Sequence, residues 1–411
     1  MLSIHSARDP GHGRRRSRIG LAIAGGGPIG AMYELGVLRA LEEACDGLDL
    51  TRLDGYVGVS SGAFFAAGLA NRMDTAELCR IFLKGECSDA DFRPEIFLQP
   101  AFREYLKRVA AIPEQGMRLL HDLVAPETGS RWSEVLNRLG GLIPTGLFDN
   151  APVEHFLSEL FSRNGRSNDF RTLKRKLFVI AVDLDSSATT CFGGPDWEDV
   201  PISRAVQASS ALPGLYPPVE LRGRHFVDGA LRRTMHASVL LDRGVDLLLG
   251  INPLVPFNPT HDARSHRFGD RRIAQGGLPG VLSQTLRTML QSRMQVGLAR
   301  YPERYPHIDQ IVFEPNPIDR DLFYTNIFSF SARRRISQLG YRNTLDDLRN
   351  RRDAFEPVLA QHGISLNDEV LADSGRSLLD ALPPGVRRTP TTAQLARNLD
   401  DLEHSLRHGV V

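Results

Sequence analysis

Two glycine-framed turns near the N-terminus carry residues whose types and spacing fit acyl transfer. The segment Gly58–Gly62 reads Gly-Val-Ser-Ser-Gly and follows an apolar pair of strand type. Gly58 and Gly62 give Ser60 the room that a serine on a sharp strand-to-helix turn needs. A helix that begins directly after Ser60 would direct its N–H groups and its dipole at an alkoxide on that side chain. The pattern predicts an activated serine, although a tight turn with an unreactive serine has the same sequence.

The second turn could supply hydrogen-bond donors to a substrate carbonyl. It reads Gly-Gly-Gly-Pro-Ile-Gly and follows the apolar run Leu21–Ala24. Residues without side chains let the backbone bring its N–H groups close to a substrate, and Pro28 can begin the helix that follows. The turn is therefore a candidate oxyanion hole. Its candidate residues are Gly25, Gly26, Gly27 and Gly30.

The same glycines also satisfy the Gly-x-Gly-x-x-Gly pattern of a dinucleotide-binding turn. In that case an acidic residue at a later strand end would bind the ribose. The available acids, Glu42 and Glu43, lie instead in a stretch whose leucines have helical spacing. The sequence therefore favours an oxyanion loop over a nucleotide site, and no cofactor is expected.

A carboxylate far downstream completes the set of candidate groups. The segment Arg224–Val227 is predicted to be a short strand, and Asp228 follows it on an Asp-Gly turn. Asp-Gly is a common turn dipeptide, so this residue taken alone is more often structural than catalytic. Its significance depends on the two glycine turns upstream.

These motifs, in this order, resemble those of the patatin-like phospholipase family. A further stretch, Ala205–Val219, is similar to the family's segment before its aspartate, and the resemblance covers roughly residues 18–253. It implies a three-layer α/β/α fold with a mainly parallel central sheet. It also implies serine-dependent hydrolysis of the fatty-acyl esters of glycerophospholipids. The resemblance assigns the nucleophile to Ser60, the base to Asp228, the oxyanion hole to the first turn, and the nucleophile elbow to Gly58, Ser61 and Gly62.

In the implied reaction Asp228 takes the proton of Ser60 while Oγ attacks an ester carbonyl, and water later hydrolyses the acyl-serine. This requires burial of Asp228, because an ordinary aspartate pKa of about 3.9 is too low for a base at neutral pH. The chain departs from the family at Ile29, where Arg or Lys is common, so backbone donors would carry more of the charge stabilisation. A histidine triad with His236 or His225 is the alternative. The dyad is favoured because a triad histidine normally comes from a separate loop.

Other functions would use the same residues or the same fold. Neutral-lipid hydrolysis or acyl transfer to an alcohol would use the same serine, and a catalytically silent lipid-binding scaffold would keep the fold. The expected partners are an acyl-ester substrate and the surface of a membrane.

The composition agrees with an enzyme of this class. A chain of 411 residues, 42% of them hydrophobic, can bury a large core, and a net charge of +1 gives no sign of nucleic-acid binding. No apolar stretch reaches the ~18 residues of a membrane-spanning helix, so peripheral association is expected. The cysteines lack metal-ligand spacing, which favours reduced core thiols, no bound metal and a cytoplasmic location; they are Cys45, Cys79, Cys87 and Cys191.

Strands alternating with helices indicate a mainly parallel sheet with helices on both faces and ligand sites at strand carboxyl ends. Ser60 and Asp228 both lie at such ends. Predicted strands cover residues 18–24, 55–59, 177–184, 189–192, 224–227, 246–251 and 310–313. Predicted helices cover residues 28–44, 61–71, 74–84, 151–161 and 278–298.

The pattern divides the chain into four regions. Residues 1–17 are expected to form a flexible basic tail, followed by a catalytic domain at 18–255 with a helical insertion at about 91–140. Residues 256–373 are predicted to form a C-terminal helical extension that packs on this domain, and 374–411 a linker and a terminal helix. The basic residues of the tail resemble a leader, but cleavage after the next apolar run would remove the oxyanion turn.

Two C-terminal segments leave alternatives open. The stretch Leu322–Phe330 concentrates aromatic residues beside Arg333–Arg335. It would line an acyl groove, enter a bilayer surface, or pack in the core beside a solvated helix. The terminal helix would dock on the main domain, pair with another subunit in a homo-oligomer, or stay disordered.

Overall fold

The computed structural model describes residues 2–7, 16–86, 99–101, 145–255, 277–316, 330–379, 382 and 399. Its strands are β1 (Leu2–His5), β2 (Ile19–Ile23), β3 (Cys45–Asp46), β4 (Gly55–Val59), β5 (Lys176–Asp183), β6 (Thr189–Phe192), β7 (Val219–Leu221), β8 (Arg224–Asp228), β9 (Leu247–Ile251), β10 (Asp309–Phe313) and β11 (Ser365–Leu366). Its α-helices are α1 (Gly27–Ala44), α2 (Ser61–Ala70), α3 (Thr75–Cys79), α4 (Ala151–Phe161), α5 (Ile202–Ser209), α6 (Ser238–Leu241), α7 (Gly277–Arg304), α8 (Phe330–Asn350), α9 (Arg352–Gln361) and α10 (Asp368–Ala372). A π-helical turn, Arg80–Lys84, continues α3.

Nine of the described strands form one sheet in the order β1-β10-β9-β2-β4-β5-β8-β7, with β6 paired to β5, and β3 pairs with β11 in a separate two-stranded sheet. The centre, from β10 through β9, β2 and β4 to β5, is parallel, as the sequence predicts. The remaining pairs are antiparallel, and short turns join the successive strands β5 and β6 as well as β7 and β8. Between β7 and β8 the turn consists of Arg222 and Gly223, both with positive φ, the conformation of a tight hairpin.

Helices cover both faces of the sheet. Successive strand residues point to opposite sides, so the central strands contribute side chains to two hydrophobic cores. On one face Leu21 and Tyr56 belong to the larger hydrophobic core, which includes α1, α2 and α8. On the other face Ala22 and Val57 pack in a second core with α6 and with Met294 of α7. The three-layer α/β/α fold predicted from the sequence is confirmed. None of the helices described here combines the length and apolar character that a membrane crossing requires.

The N-terminal residues differ from the predicted flexible tail. Leu2–His5 pairs antiparallel with β10, with Leu2 opposite Phe313. Its apolar residues alternate with polar ones, which suits an edge strand. The prediction of a flexible tail is therefore wrong for β1. Apart from residues 99–101, the predicted insertion at about 91–140 lies outside the described residues, as do the aromatic stretch before Phe330 and nearly all of the terminal linker and helix.

Helix α8 packs closely on α1 through two glycines. A Cβ atom on Gly36 would lie 2.0 Å from the carbonyl oxygen of Ser337, and one on Gly340 would lie 2.4 Å from that of Tyr33. Such distances exclude any side chain, so the two backbones approach directly. This contact holds α8 against the helix that follows the glycine loop. The division into a catalytic domain and a separate extension stays a prediction.

Candidate active site

Two strands that pair with the same edge of β5 end opposite each other and bring the candidate serine and aspartate together. Val59, the last residue of β4, pairs with Ile180, and Asp228, the last residue of β8, pairs with the next residue, Ala181. Strand β6 pairs with Ile180 and Ala181 along the other edge of β5, so β4 and β8 both pair with the same edge of β5. They run in opposite directions along it. Their carboxyl ends therefore meet, and Ser60 follows directly from one of them.

The turn at Ser60 has the strained geometry of a nucleophile elbow. Ser60 has φ 51° and ψ −121°, and α2 begins at the next residue. A non-glycine residue held in such a conformation costs about 1–3 kcal/mol. A Cβ atom on Gly62 would lie 2.4 Å from the carbonyl oxygen of Ile23, and one on Gly58 would lie 2.5 Å from the Cα of Ala63. Both glycines are required because neighbouring backbone fills the space.

Ser60 and Asp228 form a short, buried hydrogen bond. Ser60 Oγ donates to Asp228 Oδ2 at 2.6 Å, and the Ala230 amide donates to Oδ1 at 2.8 Å. Asp228 is only 3% exposed. Burial raises the pKa of this carboxyl group to about 6, against the lowering effect of the two hydrogen bonds. It is therefore a stronger base than an ordinary aspartate while still mostly ionised at neutral pH.

The glycine loop lies directly against this pair, and most of its amides are already bound. A Cβ atom on Gly25 would lie 2.9 Å from Ser60 Cβ. The Gly25 amide donates to the Thr234 carbonyl at 3.1 Å, that of Gly26 to Ser61 Oγ at 2.8 Å, and that of Gly30 to the Gly26 carbonyl at 3.1 Å. Within the described residues the Gly27 amide has no acceptor. Of the four glycines predicted as oxyanion donors, the structure leaves Gly27 available.

A family model described as patatin-like phospholipase matches residues 21–241, which is more than half of the chain. The chain belongs to the patatin-like phospholipase family. It is 26% identical over 244 residues to a protein of Mycobacterium tuberculosis strain H37Rv named as an uncharacterized NTE family protein, covering 58% of this chain and 32% of that one. It thus spans about a third of the length of the curated relatives that it matches.

Solved structures with similar folds include two bacterial proteins. VipD from Legionella pneumophila is 20% identical with a TM-score of 0.31, covering 63% of this chain and 55% of that one. ExoU, solved with SpcU from the type III secretion system of Pseudomonas aeruginosa, is 15% identical with a TM-score of 0.24, covering 94% of this chain and 77% of that one.

The family's stretch before the aspartate, Ala205–Val219, holds both members of the pair in place. Ser209 Oγ accepts from the Ser60 amide at 2.8 Å and donates to the Ile180 carbonyl at 2.5 Å. The Ala211 carbonyl accepts from the Asp228 amide at 3.0 Å. No sequence motif points to Ser209 itself. The resemblance of the stretch Ala205–Val219 to the family is what could have indicated its role.

A mostly apolar cavity of about 310 Å³ opens at the Ser60–Asp228 pair of this patatin-like chain. Phe64, Leu212 and Leu290 are among the side chains that line it. Arg287 of α7 and Arg333 of α8 line it as well, and both follow the segment that the family model matches. Sequence reasoning did not place Arg287 in the site, because nothing near it in the chain indicates which cavity it faces.

Neither histidine considered for a triad is hydrogen-bonded to the pair in the described part of the chain. Both oxygens of Asp228 accept from other groups, as given above. His236 is buried with φ 50°, and burial lowers its pKa to about 4, so its ring is neutral. His225 lies 3.7 Å from the Asp185 carboxylate with its side chain half exposed. The geometry favours the dyad of the patatin-like family.

Proposed function

We propose that this protein is a lipid acyl hydrolase that cleaves fatty-acyl esters of glycerophospholipids through Ser60 and Asp228. The observation that carries the proposal is the 2.6 Å hydrogen bond from the strained Ser60 to the buried carboxylate, at the end of an apolar cavity. A nucleophile hydrogen-bonded to a desolvated base beside backbone donors is the arrangement that acyl transfer requires.

In the proposed reaction Asp228 accepts the Ser60 proton while Oγ attacks the ester carbonyl. The oxyanion accepts hydrogen bonds from the Gly27 amide and from the Ser61 amide, which begins α2 and has no intrahelical acceptor. The alcohol leaves with the proton, and Asp228 then deprotonates water for attack on the acyl-serine. Ile29 brings no charge to the loop, so neutral amides and the α2 dipole stabilise the oxyanion.

The lining of the cavity supports a phospholipid over a neutral lipid. Its apolar side chains would contact the acyl chain, since burial of each methylene group contributes about 0.8 kcal/mol. Arg287 and Arg333 give the same cavity two guanidinium groups against the single carboxylate of Asp228. Guanidinium groups bind phosphate oxygens with paired hydrogen bonds. A diester phosphate beside the scissile ester would be held there, whereas a triacylglycerol offers no anion.

The decisive experiment measures fatty acid released from phosphatidylglycerol vesicles and from a triacylglycerol emulsion by the full chain. Wild type is expected to hydrolyse the phospholipid, and Ser60→Ala and Asp228→Asn to lower the rate at least 10³-fold while remaining folded. Substantial hydrolysis by either variant would contradict the dyad. Preference for the triacylglycerol would favour a neutral-lipid esterase, and products appearing only with an added alcohol would favour an acyltransferase.

Arg287→Leu tests the head-group assignment in the same assay. It is expected to lower the phospholipid rate about tenfold relative to the triacylglycerol rate, equal to the ~1.4 kcal/mol of one charge-assisted hydrogen bond. An unchanged ratio would remove the arginine from the proposal. Access to a vesicle implies peripheral membrane association, which remains part of the proposal together with the cytoplasmic location and homo-oligomer formation.

A further inference from the structure

A buried carboxyl group lies beneath the glycine loop and has no part in the proposed reaction. Glu34 of α1 is completely buried, and burial raises its pKa well above the ordinary value, which favours the neutral form of the carboxyl group. Within the described part of the chain, its Oε2 atom has no hydrogen-bond partner. Burial of an incompletely paired carboxyl group lowers stability, and its presence here requires an explanation.

The other oxygen of Glu34 ends a chain of hydrogen bonds that reaches the loop. Ser61 Oγ donates to Glu34 Oε1 at 3.0 Å, and the Gly26 amide donates to Ser61 Oγ at 2.8 Å. Ser61 follows the candidate nucleophile directly, and Gly26 precedes the candidate oxyanion donor, Gly27. The chain of bonds therefore joins the elbow to the loop at the residues next to both reacting positions.

The orientation of the Gly27 amide depends on this connection. Gly26 has φ −146° and ψ 2°, and Gly27 has φ +60°. A ψ near 0° places the nitrogens of Gly26 and Gly27 on the same side of the bond between Cα and the carbonyl carbon. An acceptor that fixes the Gly26 amide therefore also fixes the direction of its neighbour. Glycine residues on their own adopt many other conformations, so the loop does not hold this one without an anchor.

The glycine loop leaves room for the Glu34 carboxyl group beneath it. A Cβ atom on Gly26 would lie 3.2 Å from Glu34 Oε1 and 2.7 Å from the Cα of Gly30. The absence of side chains on the loop thus lets the carboxyl group approach closely from below. Among the described residues, Ser61 forms the hydrogen-bonded bridge between the carboxyl group and the loop.

We infer that Glu34 is a positioning residue which, through Ser61, holds the Gly26 amide and with it the Gly27 oxyanion donor in the orientation that the transition state requires. The inference rests on the proposed function. Glu34 contacts neither the dyad nor the substrate, and acts only by restricting the loop. Loss of this restriction affects the transition state more than substrate binding, because the oxyanion exists only in the former.

The test measures kcat and KM for the 4-nitrophenyl ester of a medium-chain fatty acid, together with the thermal midpoint of the full chain. Glu34→Leu and Ser61→Ala each break the connection, and each is expected to lower kcat about 10- to 100-fold with KM changed less than threefold. Because both act through one connection, the double variant is expected to lose no more than either alone. Glu34→Gln retains an acceptor and is expected to keep at least half of kcat.

If Glu34 only stabilised the fold, Glu34→Leu would lower the thermal midpoint. The positioning role predicts the opposite. Glu34→Leu removes an incompletely paired buried carboxyl group, so its thermal midpoint is expected to equal or exceed that of wild type. Glu42→Leu is the matched control: this acid of α1 bonds Thr75 and Arg39 instead of the loop, so its loss is expected to lower the midpoint and leave kcat intact.

The inference is overturned by wild-type kcat in Glu34→Leu, by losses that multiply in the double variant, or by failure of Glu34→Gln to retain activity. A wild-type chain without Ser60-dependent hydrolysis would instead overturn the proposed function. The two failures are therefore distinguishable in one set of proteins.

Discussion

Two regions of the molecule combine a serine with a buried aspartate, and they differ in what surrounds the serine. In one, Ser60 Oγ donates directly to Asp228. In the other, His362 lies between Ser17 and Asp309: Ser17 Oγ contacts Nδ1, and Asp309 Oδ2 lies 2.7 Å from Nε2. By residue types alone, the second region has the composition of a catalytic triad, and the first lacks the histidine.

The second array has none of the other features of a catalytic site. Ser17 has a negative φ, and none of the three residues lines the cavity at Ser60. The imidazole is also reversed, since catalytic triads place the serine at Nε2 and the aspartate at Nδ1. Asp309 Oδ1 accepts from the Ala7 amide as well, so the array joins four distant chain segments. The strained turn, the free amides and the cavity therefore identify a nucleophile better than residue types do.

Labelling with a fluorophosphonate probe gives the largest expected difference between the two regions. Such probes react with activated serines, so Ser60→Ala is expected to reduce labelling at least 10³-fold, the scale on which removal of a nucleophile acts. Ser17→Ala is expected to label like wild type. In-gel fluorescence against time measures both rates. Labelling that is lost in Ser17→Ala and kept in Ser60→Ala would reverse the assignment of the two regions.

His362→Ala is expected to act on stability and not on catalysis. It leaves the 3% exposed Asp309 side chain with a single donor, and removal of a buried hydrogen-bond partner from such a group costs about 3 kcal/mol. Urea denaturation measures this loss, and kcat/KM of the folded variant is expected to stay within twofold of wild type. Ser17→Ala, which removes one hydrogen bond, should cost only about 1 kcal/mol. A variant with normal stability and reduced hydrolysis would show that the array is functional.

The sequence was most informative where structure is set by near neighbours. The strand predicted at 55–59 and the helix after Ser60 occur as β4 and α2, because glycines at fixed spacing permit only a few turns there. The prediction failed at β1, whose pairing partner, β10, lies about 300 residues away. No local pattern can reveal a partner at that separation. The sequence likewise left His362 unremarked, since its contacts lie 345 residues away at Ser17 and 53 residues away at Asp309.

The candidate site also combines features that the local sequence predicts with features that depend on distant parts of the chain. The sequence placed Asp228 at the end of a strand, and β8 does end there, but the strand is antiparallel and meets β4 end to end. Strand direction depends on pairing with β5, which the local sequence of β8 does not encode. The role of Glu34 was also inaccessible, because an acid within a helical stretch is most often solvent-exposed. Only the fold shows that its carboxyl group faces Ser61.

A further expected effect concerns the pH dependence of stability. Asp228 has its pKa raised from 3.8 to about 6 in the folded chain, so its neutral form favours folding. That contribution is complete below about pH 4 and is lost as the pH rises through about 6, which amounts to about 3 kcal/mol. Asp228→Asn cannot ionise and keeps groups able to hydrogen-bond Ser60 and Ala230. Its free energy of unfolding relative to wild type is therefore expected to increase between pH 4 and pH 7.

Urea denaturation of Asp228→Asn and wild type at several pH values measures this difference, and Asp309→Asn provides the comparison in the second region. If the two Asp228 proteins kept a constant difference across the range, Asp228 would have an ordinary pKa and could not serve as the base. Because a carboxylate that is costly to bury is also a stronger base, the stability gained by the variant and the hydrolysis it loses have one physical cause. Asp309→Asn is expected to lose stability without affecting hydrolysis, since its carboxylate only joins chain segments.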